Sequence, residues 1–371
     1  MIQIRRHFRV WLAPVAVSAA AFGLAVPAQA QPAAPSRAAG TPVTSTQSLQ
    51  SLVGHAPAGG KRWIVNDPVA YGQAVRSKEW VRTPSGLSDT GCVFHVPDHA
   101  TVTNGLIRLP SGATQQMKPC EYPTLAYPGA AAAGSAEPGA TKPAASAPRA
   151  TQSATGGPCY FGSGSSNVYW VASCYGAEPT WATSMVQEQA VPSDPAQDGA
   201  LIFLWGGLTN LGGDTLLQVV LTWGANGNIV TNPNIWYVTP WYLWSGNSVT
   251  GASIHVGVSD TLVQSLTASD CDSSGDCTWV LASTDKTNGR STSYTVTSGV
   301  PFEEVLGAVM EVPRADGCVE TPASGHAAFR DLTLTGDNGP ITPDFGTSVV
   351  DSQCSVSMTQ SATGADILWK P

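Results

Sequence analysis

Two polar residues stand where apolar ones would be expected. In the run from Asp214 to Trp223, Leu217, Val219, Leu221 and Trp223 fall on one face of an extended strand, and Leu216, Gln218, Val220 and Thr222 on the other. Gln218 is therefore an amide in the middle of an otherwise apolar strand. A buried amide without partners costs about 1–3 kcal/mol, so this one either lines a groove or cross-links loops inside a core. Glu311 poses the same question in Leu306–Arg314. Ala308, Met310 and Val312 share one face, and Gly307, Val309 and Glu311 the other. A carboxylate there is either solvated at a strand end or held in a cleft, where desolvation and neighbours retune its proton affinity.

Other clusters carry less chemistry. Asp270, Asp272 and Asp276 crowd a short loop that ends at Cys277 but lacks the spacing and distal Glu of a calcium loop; turns favour Asp in any case. His95 and His99 are separated by Pro97, which prevents a helix from aligning them, and both are expected at the surface. No CxxC pair has His at zinc spacing, and no GxSxG, HExxH, P-loop or dinucleotide fingerprint occurs. Neither a metal nor a cofactor is expected.

The elements that must position Gln218 and Glu311 are strands. Gly and Pro make up 66 of 371 residues, which disfavours a helix bundle, while 42% hydrophobic residues suffice for a core. Short β-branched and aromatic runs lie at Ala200–Trp205, Thr215–Trp223, Asn234–Tyr237, Gly251–Val258, Thr278–Ser283, Ser293–Thr297, Leu306–Val312 and Ala328–Thr335. Each is bounded by Gly, Asn, Asp, Pro or Ser. Their spacing predicts an all-β unit, a sandwich or barrel of antiparallel strands.

Arg5, Arg6 and Arg9, an apolar run over Val10–Val26 and Ala28-Gln29-Ala30 predict a secretory signal peptide over 1–30. Its loss would leave 15 basic against 26 acidic side chains, a net charge of −11, which argues against nucleic acid as a partner. No later segment is apolar enough to predict stable insertion in a membrane, and the protein is expected outside the cell. Residues 31–50 predict a flexible leader and 51–127 a small N-terminal domain or pro-segment. Residues 128–157, almost entirely Ala, Pro, Gly, Ser and Thr, predict a disordered linker, and 158–371 the sandwich. Eight cysteines suit disulfides in an oxidising compartment. The expected pairing is sequential: Cys92–Cys120, Cys159–Cys174, Cys271–Cys277 and Cys318–Cys354.

Taken in order, "NVYWVAS" (167–173), "MVQEQAVPSDP" (185–195), "LIFLWGGLTN" (201–210), "TLLQVVLTWG" (215–224), "VTPWYLW" (238–244), "LGAVMEVPR" (306–314) and "AFRDLTLTG" (328–336) resemble the eqolisin group of glutamic peptidases. The resemblance covers about residues 167–336. It implies a jelly-roll or concanavalin-like antiparallel β-sandwich, with Gln218 and Glu311 in the positions of the family's catalytic pair. In that reading Glu311 takes a proton from water and returns it to the leaving amine. Gln218 holds the same water and donates to the tetrahedral oxygen. Trp170, Trp236, Trp241 and Tyr242 are the expected substrate-binding aromatics, the substrate is a polypeptide cleaved in acid, and the protein is expected to act as a monomer. The pattern departs from the family at Val220, Thr222, Pro240 and Arg314, where the family has Gly and acidic residues. The alternative is a secreted module without catalytic activity that stacks Trp rings against polysaccharide or cell-wall polymer.

Overall fold

The computed structural model describes residues 62–64, 80–83, 86–118, 120, 124–126, 169–176, 181–197, 199–211, 215–226, 229–232, 234–244, 246–314, 317–349 and 354–371. All of them fall in one compact unit, Thr44–Pro371. The expected leader over 1–50 and the linker over 128–157 lie outside these residues, as does Cys159. The other three expected disulfides, Cys92–Cys120, Cys271–Cys277 and Cys318–Cys354, are formed.

The chain is all-β and its two large sheets form a sandwich. The nine-stranded sheet runs in the order β22 (Gly346–Val349), β9 (Tyr169–Gly176), β19 (Glu304–Arg314), β11 (Leu201–Thr209), β12 (Thr215–Trp223), β13 (Trp236–Trp244), β14 (Asn247–Thr250) and β4 (Val93–His95), with β15 (Ile254–Val256) also paired to β13. The eleven-stranded sheet runs β23 (Ser357–Ser361), β24 (Gly364–Leu368), β20 (His326–Gly336), β10 (Ala182–Ala190), β16 (Thr261–Ser269), β17 (Thr278–Asp285), β18 (Ser291–Thr297), β5 (Thr101–Thr103), β6 (Leu106–Arg108) and β7 (Thr114–Gln116), with β21 (Gly339–Ile341) on β20. A small sheet joins β1 (Arg62–Ile64), β8 (Thr124–Ala126), β3 (Gly86–Asp89) and β2 (Trp80–Thr83). Pairing is antiparallel except where N-terminal strands take part: β4 on β14, β5 on β18 and β1 on β8 are parallel.

The two large sheets differ in how they meet water. In β17, β18 and the first six residues of β16 every second residue is buried, as a sheet with one wet face requires. In β11 and β12 all nine residues are buried. Ile202, Leu204, Leu217, Val219, Leu221, Met310 and Val312 pack toward the main core with Leu262, Leu281 and Val296 of the other sheet. The opposite face of β11, β12, β13 and β19 carries its own apolar cluster, which includes Phe203, Trp205, Val220, Trp241 and Val309. The nine-stranded sheet is thus covered on both sides.

Three local outcomes differ from the sequence expectations. Strand β13 runs through Pro240, where only Asn234–Tyr237 was expected as a strand. The Pro240 carbonyl accepts from Gly251 N at 2.9 Å on the side away from β12. The missing N–H points the same way, into the interval where β13 exchanges β15 for β14 as neighbour, so no bond to β12 is lost. Strand β16 was not expected; its buried positions include Gln264, which breaks the apolar alternation. Finally, β4 to β7 do not stand apart as a small unit. They extend the edges of both large sheets, and Val96, Ala100, Val102, Ile107 and Met117 lie in the main core.

Between the large sheets, Gln187, Gln264 and Gln189 form a chain of amides with separations of 3.0 and 2.7 Å. Amide orientation is assigned from the network. Turned to suit it, Gln187 donates to Gly307 O at 2.9 Å and accepts from Gly206 N at 3.3 Å, at register shifts in β11 and β19. A Cβ at Gly206 would press on the Gln187 amide and on Met185 Cε, and both would have to shift.

Candidate active site

Gln218 lies on the face of β12 turned away from the other large sheet, between Leu216 and Val220 of the second apolar cluster. It is fully buried, and neither its amide oxygen nor its nitrogen has a hydrogen-bond partner among the described residues. Its neighbours in register are Gly207 on β11 and Trp241 on β13. The Trp241 indole nitrogen, also buried, lacks a partner as well.

Glu311 lies on the same side of the sheet. It is 8% exposed, opposite Phe203 on β11 and Trp170 on β9. Its Oε2 accepts from Trp205 Nε1 at 3.2 Å. This bond holds the carboxylate in place against the indole edge. Trp205 sits on β11 midway between the register positions of the two groups and touches both neighbourhoods. A Cβ on Gly207 would lie 3.3 Å from Trp205 Cζ3 and 3.2 Å from Gln218 Cβ. A Cβ there would also meet the Leu217 carbonyl oxygen, so Gly207 keeps β11 and β12 in close register beside the indole.

The register also sets the reach of the pair. Gln218 and Glu311 are on the strands flanking β11, four residues apart along it, which is about 13 Å of rise and about 10 Å across the strands. The two groups can grip one water only by leaning toward each other over the Trp205 ring. A peptide carbonyl lying over Gly207 and that ring would have the amide on one side and the carboxylate on the other.

Further along β12 and β13, the Thr222 and Tyr237 hydroxyls approach each other from register-paired positions, without the geometry of a full hydrogen bond. Burial pushes the Tyr237 phenol far above its ordinary range, against the smaller opposing effects of Thr222 and the Arg82 charge. The row through Gly207, Gln218 and Trp241 continues to Thr250 and His95. There Thr250 Oγ1 and His95 Nδ1 are 2.6 Å apart, and burial lowers the imidazole pKa. His95 is exposed, as its sequence context implies, and ends the polar row of this face.

The expected substrate-binding aromatics separate by strand parity. Trp241 is on the Gln218 face. Trp236 and Tyr242 are not: even-numbered positions of β13 point into the main core, where Trp236 packs on Trp223 with ring centroids 5.4 Å apart. Neither can touch a substrate at Gln218, which corrects the expectation for both. Trp170 is placed by its backbone, as the register partner of Glu311. The residue missed from sequence is Trp205. Its signal was present, since it shares a face with Phe203 and Gly207 and lies one strand from each of the two polar residues.

Among the described residues no His, Cys, Asp and Glu group is arranged to hold a metal. In the Asp270–Cys277 loop, Asp272 Oδ1 is occupied by Ser274 N, Ser274 Oγ and Asp276 N at 2.8, 2.6 and 3.0 Å, which is turn capping.

No family model matches the chain, and no curated protein matches it. Solved structures do. Those similar to this chain include glutamic peptidases. Scytalido-glutamic peptidase with a peptide-based transition-state analogue matches at 17% identity and a TM-score of 0.40, over 54% of this chain and 98% of that one. SCP-B, a member of the eqolisin family in complex with the tripeptide Ala-Ile-His, matches at 16% and 0.39 over 54% and 98%. The aspergilloglutamic peptidase from Aspergillus niger matches at 15% and 0.32 over 46% and 99%.

Proposed function

We propose that the protein is an exported endopeptidase that works in acid, with Gln218 and Glu311 acting on a peptide carbonyl and water held beside Trp205. What supports this reading is the orphaned Gln218 amide. Both of its polar atoms are out of water and without a partner among the described residues, an expense of about 1–3 kcal/mol, and they lie on the same face of the sheet as Glu311. A donor kept unsatisfied in the ground state is free to bond the oxygen that gains charge in the transition state.

The steps balance as follows. Ionised Glu311 removes a proton from water as its oxygen attacks the carbonyl carbon. The carbonyl oxygen becomes an oxyanion and accepts from the Gln218 N–H. Glu311 then returns the proton to the leaving amine as the C–N bond breaks. Trp205 orients the carboxylate through its indole N–H. The sugar-stacking alternative lacks an aromatic platform among the described residues, whose exposed large hydrophobic side chains are all aliphatic.

The test is cleavage of a denatured protein by the purified chain between pH 2 and pH 6. Glu311→Gln is expected to abolish it and to leave the thermal midpoint within a few degrees. A wild type that cleaves nothing across that range ends the proposal.

A further inference from the structure

We propose that the indole N–H of Trp241 is a second donor to the oxyanion, acting beside the Gln218 amide. The inference rests on reading this face as the catalytic one, and it adds a catalytic residue to the pair. A carbonyl oxygen attacked by water gains a lone pair and a full charge. In a site closed to solvent, one amide N–H leaves most of that charge unmatched. A second preorganised donor is what the chemistry still lacks.

The pairing of β12 with β13 supplies one. Trp241 is the register partner of Gln218, which puts their Cβ atoms about 4.5–5.5 Å apart on the same face. Gln218 is fully buried and Trp241 is 1% exposed. Both Gln218 amide atoms and Trp241 Nε1 are without a hydrogen-bond partner among the described residues. The backbone at Trp241 is fixed from both sides, by Gln218 on β12 and Thr250 on β14. Its ring packs in the apolar cluster with Phe203, Trp205 and Val220, so the donor is held in place before substrate arrives. The two indoles of this cluster are used differently. The Trp205 N–H is spent on Glu311 at 3.2 Å, and the Trp241 N–H is unspent. Indole N–H groups of Trp223, Trp236 and Trp279 also lack partners among the described residues. Those three rings lie in the main core, away from any substrate at Gln218.

The step leaves the proton balance unchanged. As the water oxygen bonds to carbon, the C=O electron pair moves onto oxygen, which accepts from the Gln218 amide N–H and from Trp241 Nε1–H. Neither donor gives up its proton, and both bonds weaken when the C=O re-forms and the C–N bond breaks. Interactions that strengthen only in the transition state act on kcat and leave KM nearly untouched.

The experiment measures kcat and KM in acid for full-length wild type, Trp241→Phe, Trp236→Phe and a chain carrying 3-benzothienylalanine at position 241. That last side chain keeps the bicyclic shape and has sulfur where the N–H was. It should fold with a thermal midpoint within a few degrees of wild type, and kcat should fall about a hundredfold with KM within about twofold. Trp241→Phe should fall at least as far. Trp236→Phe removes an unpartnered indole from the opposite face of the same strand and should keep kcat within about twofold. Wild-type kcat in the benzothienyl chain, or a raised KM with kcat unchanged, would make Trp241 a wall and overturn the donor while leaving the catalytic pair standing. An equal loss in Trp236→Phe would also overturn it. A wild type without cleavage ends the catalytic reading and the donor with it.

Discussion

Two sets of buried glutamine occupy opposite sides of the nine-stranded sheet. On the side facing the other large sheet, Gln187, Gln264 and Gln189 satisfy one another and reach Gly206 and Gly307. On the far side, Gln218 is as deeply buried and has no partner among the described residues. Residue type and burial are the same, and the energetic position is opposite. The first set is a cross-link between sheets in which only Gln189 Nε2 stays without a partner among the described residues; the second is a donor and acceptor held in reserve. Burial of a polar group therefore says little about function until its partners are counted.

The contrast is most exposed to Gln218→Leu, which keeps the side-chain volume and removes both orphaned atoms. Turnover of a peptide substrate should fall about a hundredfold or more, while chemical denaturation should show stability unchanged or raised by about 1 kcal/mol. A clear loss of stability with activity intact would make Gln218 structural. Gln264→Leu should do the reverse. It strips partners from Gln187 and Gln189 and should cost about 2–4 kcal/mol, with turnover per folded molecule preserved.

Gly206→Ala strikes the same amide chain through space, since the new methyl must displace the Gln187 amide and Met185 Cε, which lies 2.7 Å from it. A penalty of about 1–3 kcal/mol is expected in the same denaturation experiment. Trp205→Phe leaves the Gln218 side apolar and deletes the donor to Glu311. The carboxylate loses the bond that orients it, so turnover of a peptide substrate should fall by about tenfold. Unchanged turnover would separate Trp205 from the carboxylate's work.

The smallest effect lies outside both sets. Burial alone would raise the Asp366 carboxyl, but hydrogen bonds from Arg330 and His326 outweigh it and hold it below its ordinary value. With a depressed folded-state pKa, its stabilisation is complete above about pH 4 and is lost as pH falls through the lowered value. Because the group is about a third exposed, Asp366→Asn should cost no more than about 0.5 kcal/mol at pH 7 and nothing near pH 2. Thermal melts at the two pH values test this.

The sequence made the site strands legible because they break no local rule. β12 matched its expected bounds, and residue spacing told which neighbours share a face with Gln218 and with Glu311; that the two share the face away from the other large sheet came from the strand pairing. What was not legible came from partners distant in the chain. Pro240 looked like a strand end until the change of neighbour from β15 to β14 explained why its missing N–H costs nothing. Trp236 and Tyr242 were matched to a substrate wall by family resemblance, but their parity opposes that of Gln218 once β13 is one continuous strand. The strands β4 to β7 are three residues each, too short to show a period, and β4 and β5 pair with strands more than 150 residues away.

That last distance orders assembly. Val93–Met117 is made early, yet its hydrogen-bonding partners β14 and β18 follow by about 155 and 194 residues. Loops of that length close slowly and close late. Until they do, the hydrocarbon of Val96, Val102 and Ile107 has nowhere to go, and the rims of both large sheets stand open to any passing strand. The first piece of this region to leave the ribosome is therefore among the last to find its place.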